Sequence, residues 1–191
     1  MAVLVHGGFW RARYGLDLEH PLAADLVARG WTVWNIEYRR LGDGGGWPAT
    51  YDDVRAAISA LPVQASRVVA IGHSAGGQLA VRAATDVPLD GVVSQAGALD
   101  LYDLWRRGTS DHVVRQFLGG SPHEVPDAYE AATPRPPDVP LLLVHGTLDE
   151  DVPVEISRSY GSGELVEIAD EGHMQHLDPG SRCWRAVIEW L

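Results

Sequence analysis

The sequence predicts an α/β fold built on a doubly wound, mostly parallel sheet. Three observations carry the prediction. Short apolar runs alternate with helical stretches along the 191 residues, the order that gives parallel strands joined by right-handed crossovers. Most of these runs are apolar at every position rather than at every second one, as in strands covered on both faces. The length suits one domain, residues 1–191, large enough to bury a sizeable core.

The strands are expected at residues 3–6, 32–38, 67–72, 91–95, 141–145 and 165–168. Helices are expected between them. The first, 18–29, stops at Gly30, a residue suited to a left-handed helix end. A second, 51–61, stops before Pro62, and 74–85 is rich in alanine. The stretch 154–160 follows Pro153, and 181–191 closes the chain. Two segments break the rhythm: a glycine loop at 42–46, and a connection at 98–139 that is long for a strand-to-helix link. The latter holds a helical patch (Leu101, Leu104, Trp105), a second at 113–118, and a proline-rich end. Long insertions above a sheet often shape binding sites.

Charge narrows the function. There are 15 basic residues, all arginine, against 26 acidic ones, for a net charge of −11. Nucleic acids and anionic membrane surfaces need a basic patch, so neither is an expected partner. Cys183 is the single cysteine, which leaves no intrachain disulfide. No apolar run approaches the ~20 residues of a membrane span, and the opening run lacks the basic flank of a signal peptide. A cytoplasmic location is the expectation.

The chemistry concentrates at Gly72-His73-Ser74-Ala75-Gly76, a G-x-S-x-G pattern between an expected strand and an expected helix. A sharp strand-to-helix turn thrusts the serine hydroxyl outward, and the helix N-terminus behind it faces a developing oxyanion. His6-Gly7-Gly8-Phe9-Trp10, directly after the first strand, suits an oxyanion loop. Its amides at Gly8 or Phe9 would join that of Ala75. A nucleophilic serine needs a base and an orienting acid. In a parallel sheet these lie past the C-terminal ends of late strands. Asp149 follows the fifth strand and His173 the sixth, 75 and a further 24 residues along. Asp151 is the rival acid and His176 the rival base. Asp170 reads as a solvated turn residue, His6, His73 and His145 as loop supports, and His20, His112 and His123 as surface residues. No metal site is expected, since no H-E-x-x-H or cysteine cluster occurs. No cofactor is expected either.

The runs HGGFW, GHSAGG, HGTLDEDVP and GHMQHLDP, in this order, resemble the α/β-hydrolase superfamily. The branch they are most similar to is the carboxylesterase, kynurenine formamidase-like and prolyl oligopeptidase-like group. Tyr38-Arg39-Arg40, Trp47-Pro48-Ala49 and Asp52-Asp53-Val54 add to the likeness. The resemblance implies a minimal α/β-hydrolase fold lacking the N-terminal hairpin, with a short insertion at 98–139. It also implies a serine esterase with Ser74, His173 and Asp149 as catalytic triad, acting on small short-acyl or aryl esters through an acyl-enzyme. An arylformamidase or peptidase with the same triad is the alternative, and a catalytically silent binding module the outsider.

Without the hairpin, strand 32–38 is expected at a sheet edge, with Trp34 and Ile36 on one face and Val33 and Asn35 on the other. An exposed edge invites pairing, so a homodimer is the candidate assembly. Phe9, Trp10 and Trp47, facing Leu101 and Trp105, are the expected walls of the substrate pocket.

Overall fold

A computed structural model describes residues 1–191. Its six strands form one parallel sheet. They are β1 (Ala2–Val5), β2 (Val33–Ile36), β3 (Val69–His73), β4 (Gly91–Gln95), β5 (Leu141–Gly146) and β6 (Glu164–Ile168), in the order β2-β1-β3-β4-β5-β6. The order reverses beside β1, which opens the crevice where parallel sheets place ligands. Between the strands run α1 (His20–Ala28), α2 (Ala49–Ser59), α3 (Ala75–Ala83), α4 (Leu101–Arg106), α5 (Thr109–Leu118), α6 (Pro126–Ala132) and α7 (Glu155–Ser159), and α8 (Arg182–Trp190) closes the chain.

The continuous apolar character of the strands has the expected cause. In β1, Val3 and Val5 join one hydrophobic cluster while Ala2 and Leu4 join another on the opposite face. The second cluster lies under α1 and α8 through Leu22, Leu26, Trp184 and Val187. The first is larger because the insertion is folded onto it, contributing Leu101, Leu104, Val113, Phe117 and Tyr129.

Strand β2 is an edge of the sheet. Trp34 and Ile36 pack on the larger cluster and Val33 on the smaller. The strand is shorter than its sequence pattern because Tyr38 leaves the ladder to donate its hydroxyl to the His6 carbonyl at 2.7 Å. Helix α1 also begins later than expected: residues 16–19 form a 3-10 turn, and Pro21 then sits in the first turn of the α-helix. Helix α6, seven residues opened by Pro126, carried too little periodicity to be foreseen. Its Tyr129 and Ala132 are buried.

Candidate active site

Strand β3 ends at His73, and the chain turns at Ser74 with φ 55° and ψ −118° before α3 begins. A left-handed φ at a non-glycine residue is strained and persists only where the surroundings hold it. Here the Ser74 amide donates to the Gln95 carbonyl at 2.8 Å, and its own carbonyl accepts from Ala98 at 3.2 Å. The flanking glycines are required by close approach. A Cβ on Gly76 would lie 1.9 Å from the Val5 carbonyl oxygen, and one on Gly72 would lie 2.2 Å from that of Gly76. On Gly7 it would meet the Ser74 Cβ at 3.0 Å. The HGG loop is thus wedged against the serine.

The other half of the site hangs from β5 and β6. His173 Nδ1 donates to Asp149 Oδ2 at 2.7 Å, and the carboxylate is fully buried. Its Oδ1 accepts the backbone amides of Asp151 and Val152 at 2.9 and 2.8 Å. His145 Nε2 approaches Oδ2 at 3.2 Å, and its Nδ1 faces the Ser157 hydroxyl at 2.7 Å. Burial pushes the Asp149 carboxyl up. The hydrogen bonds from His145 and His173 outweigh it and hold the group well below the usual carboxylate range. An anion so held fixes the imidazole tautomer, leaving Nε2 of His173 for the cleft. The His173 loop is pinned from below: Glu171 accepts the amides of Arg182 and Cys183 at the start of α8, both at 2.9 Å. A Cβ on Gly146 would strike the Glu171 carbonyl oxygen at 2.2 Å, so the β5 and β6 loops touch along their backbones.

Ser74 and His173 line one cleft of about 640 Å³, together with Gly8, Phe9, Arg13 and Tyr14 from the first loop. Arg107, Thr109 and Ser110 border it on the insertion side, and Glu150 and Asp151 beside the acid. The Gly8 and Phe9 amides have no acceptor inside the protein. A narrow, largely apolar recess shares Phe9, Ser74 and Thr109 with the cleft and lies between Trp10, Ala75, Ala98, Leu104 and Val113.

The structure sorts the sequence candidates. His173 pairs with Asp149, while Asp151 stands exposed at the cleft rim. His176 is fully buried with neither ring nitrogen partnered, and burial pushes it down to about 3. Phe9 reaches the cleft. Trp10 borders only the recess: its indole stacks on Phe117 at 4.4 Å and donates to Gln78 at 3.2 Å. Three expected pocket residues lie elsewhere. Trp47 stacks on Tyr51, because α2 draws it to the far side of Phe117. Leu101 is fully buried, since α4 turns Leu101 and Leu104 into the core. The same short helix carries Trp105 to a separate groove, edge-on to His123. Arg13, Tyr14 and Arg107 lacked any sequence signal. Arg13 and Tyr14 reach the cleft from the first loop, where Gly8, Phe9 and Trp10 all take positive φ, and Arg107 reaches it from the end of α4.

A family model described as BD-FAE matches residues 1–88. The esterase LipC of Mycobacterium tuberculosis is 27% identical over 83% of this chain, which spans 46% of LipC's length. The acetyl ester-xyloside bifunctional hydrolase of Caldicellulosiruptor lactoaceticus superposes with a TM-score of 0.77 at 21% identity, covering 99% of this chain and 80% of that one. The chain shares the α/β fold of that hydrolase. A second solved structure of the same fold, the esterase Est2 of Thermogutta terrifontis, gives 0.74 at 22% identity over 99% of this chain and 78% of that one. In this fold, Ser74 stands after the central strand β3, and Asp149 and His173 follow the two strands beyond β4.

Proposed function

We propose that the protein is a serine esterase that hydrolyses small carboxylic esters through an acyl-enzyme. The observation that carries this reading is the buried Asp149–His173 pair opening onto the same cleft as Ser74 at its strained turn. Ser74 Oγ attacks the ester carbonyl carbon while His173 Nε2 takes its proton. The negative charge on the carbonyl oxygen is met by the amides of Ala75 and of Gly8 or Phe9, each donor worth ~10²–10³ in rate. His173 returns the proton to the leaving alcohol. Water, deprotonated by the same nitrogen, then releases the acid and restores Ser74. Asp149 stabilises the imidazolium in both steps.

Pocket shape sets the substrate preference. The recess lined by Ser74 is about 10 Å³, room for roughly one water or one methyl group. It suits the acyl methyl of an acetate. The larger cleft carries Arg13, Tyr14, Arg107, Glu150 and Asp151 and suits a polar alcohol. Of the similar proteins, one is named an acetyl ester-xyloside bifunctional hydrolase, and another, the esterase Est2, is solved with propionate bound. A fluorophosphonate probe should label Ser74, and labelling should vanish in Ser74→Ala. In a 4-nitrophenyl ester series, kcat/KM should be highest for acetate or propionate and fall beyond butyrate. Absence of labelling in the folded protein would sink the catalytic reading. A maximum at long chains would show that the recess does not take the acyl group.

A further inference from the structure

Trp105 does not serve the catalytic cleft, yet it is not simply buried. It lines a second groove of about 840 Å³ between α4, α5 and the turn that follows α5. We propose that this groove is a binding site for a carboxylated sugar residue, distinct from the catalytic cleft and independent of the esterase reading.

Three observations carry the proposal. The first is charge. The protein is acidic overall, at −11, and Glu150 and Asp151 line the catalytic cleft. This groove has no carboxylate among its lining residues, which instead include Arg106, His112 and Arg115. Each guanidinium is paired through Nη2 alone, which leaves its other N–H groups without a protein partner. The Arg106 side chain is 67% exposed, and its partner Asp103 is shared with Arg107. Arg115 meets Glu124 only at 3.3 Å, with both side chains more than half exposed, a geometry worth little as an ion pair. A guanidinium fork matches a carboxylate.

The second observation is polarity. Trp105 is the only hydrophobic residue in the lining. The rest of the wall is amide, hydroxyl and backbone: Gln116, Ser121 and the glycines 119 and 120. The Gln116 amide nitrogen already donates to the Asp111 carbonyl at 2.8 Å, leaving its oxygen free to accept. One aromatic face amid hydrogen-bonding groups suits a ring that is apolar on its C–H face and hydroxylated at its edge. A flat aromatic acid would find no second apolar wall to enclose it.

The third is position. Arg107, Thr109 and Ser110 border the catalytic cleft, while Arg106 and His112 border the groove. One short stretch of chain therefore separates the two, and a ligand on the groove lies beside the entrance to the other site.

The test is direct binding, measured by calorimetry at low salt, of an oligogalacturonate tetramer with xylotetraose as its neutral counterpart. The acidic tetramer should bind saturably, at least tenfold tighter than the neutral one. Trp105→Ala and Arg115→Gln should each weaken it about tenfold or more, and added salt should weaken it further. Turnover of 4-nitrophenyl acetate should stay at the wild-type level in both variants, which also shows that they fold. Arg115 is exposed, so Arg115→Gln tests the site even where the tryptophan variant misfolds. Equal affinity for the two tetramers, unchanged binding in Arg115→Gln, or no saturable binding would each overturn the proposal. A wild-type protein that binds the acidic tetramer but turns over no ester would retire the esterase reading and leave this one standing.

Discussion

The two walls of the catalytic cleft are built differently. On the sheet side the backbone is locked. Cβ atoms at Gly72, Gly76 and Gly146 would lie 1.9–2.2 Å from a carbonyl oxygen, and the Asp149 carboxylate accepts three hydrogen bonds, with His145 Nε2 3.2 Å away. On the insertion side the chain at 110–112 holds three successive non-glycine residues at positive φ, 45–56°. Each costs roughly 1–2 kcal/mol in that region. The cross-link holding that stretch to the first loop is the Arg11 guanidinium, at 2.8 Å from the Ser110 carbonyl and 3.4 Å from its hydroxyl. On the proposed reading, chemistry falls to the wall packed backbone against backbone and substrate fit to the wall tied down by a single guanidinium.

The largest effects are expected on the rigid wall. Ser74→Ala should remove ester turnover by ~10⁴ or more while leaving the melting temperature nearly unchanged, since the other hydroxyls lining the cleft, Tyr14, Thr109 and Ser110, belong to the first loop and the insertion and not to the strand-to-helix turn. Residual turnover within tenfold of wild type would mean that another group attacks. Asp149→Asn should follow, at ~10³–10⁴ in kcat, because the amide leaves the imidazole in the wrong tautomer. Asp151→Asn should cost less than about threefold, as only its backbone touches the carboxylate. A reversal between the two aspartates would break the assignment of the acid.

Smaller effects are expected on the adaptable wall. Arg11→Ala should free the strained stretch. KM for acetate esters should rise several-fold with kcat changed little, and the acyl-length optimum should broaden. Stability should fall by no more than ~1 kcal/mol, since one strong and one weak hydrogen bond of a half-buried guanidinium are lost while strain is relieved. Unchanged KM values across the ester series would show that the insertion wall takes no part in fit.

Glu19 sharpens the comparison from beneath the first loop. It ends the 3-10 turn whose Leu18 lines the cleft. Its carboxyl is 1% exposed, neither oxygen has a partner, and burial pushes it up to about 8. Between its ordinary value of 4.5 and about 8, the folded chain keeps a proton that the unfolded chain has lost. Stability therefore falls as pH rises through that window and levels off above it. Glu19→Gln should remove the slope: the melting temperature should be little changed near pH 4.5 and several degrees higher at pH 8. Parallel wild-type and variant curves would show that the carboxyl does not titrate there.

Much of this was legible in the linear sequence, for local reasons. Continuous apolar runs reported strands covered on both faces, and the alternation of strand and helix pointed to a parallel sheet; the edge position of β2 was expected only from the resemblance and its missing hairpin. The serine turn, the HGG loop, Asp149 and His173 each sit at a strand end, where motif and position coincide within a few residues. The sequence alone left Asp149 and Asp151 as rivals; they stand two residues apart, and only the packing of the β5 loop under His145 decides which one is buried against His173. It also could not place the insertion. Trp47, Leu101 and Trp105 looked alike as large apolar residues near the site, but a helix of six residues has no periodicity long enough to reveal which face it buries. The outcome rests on contacts between segments far apart in sequence, such as Gln78 bridging Trp10 and the Ala132 carbonyl. Local pattern determined the chemistry at the strand ends. The walls around it depend on how long-range packing disposes side chains of similar size and polarity, which no local pattern records.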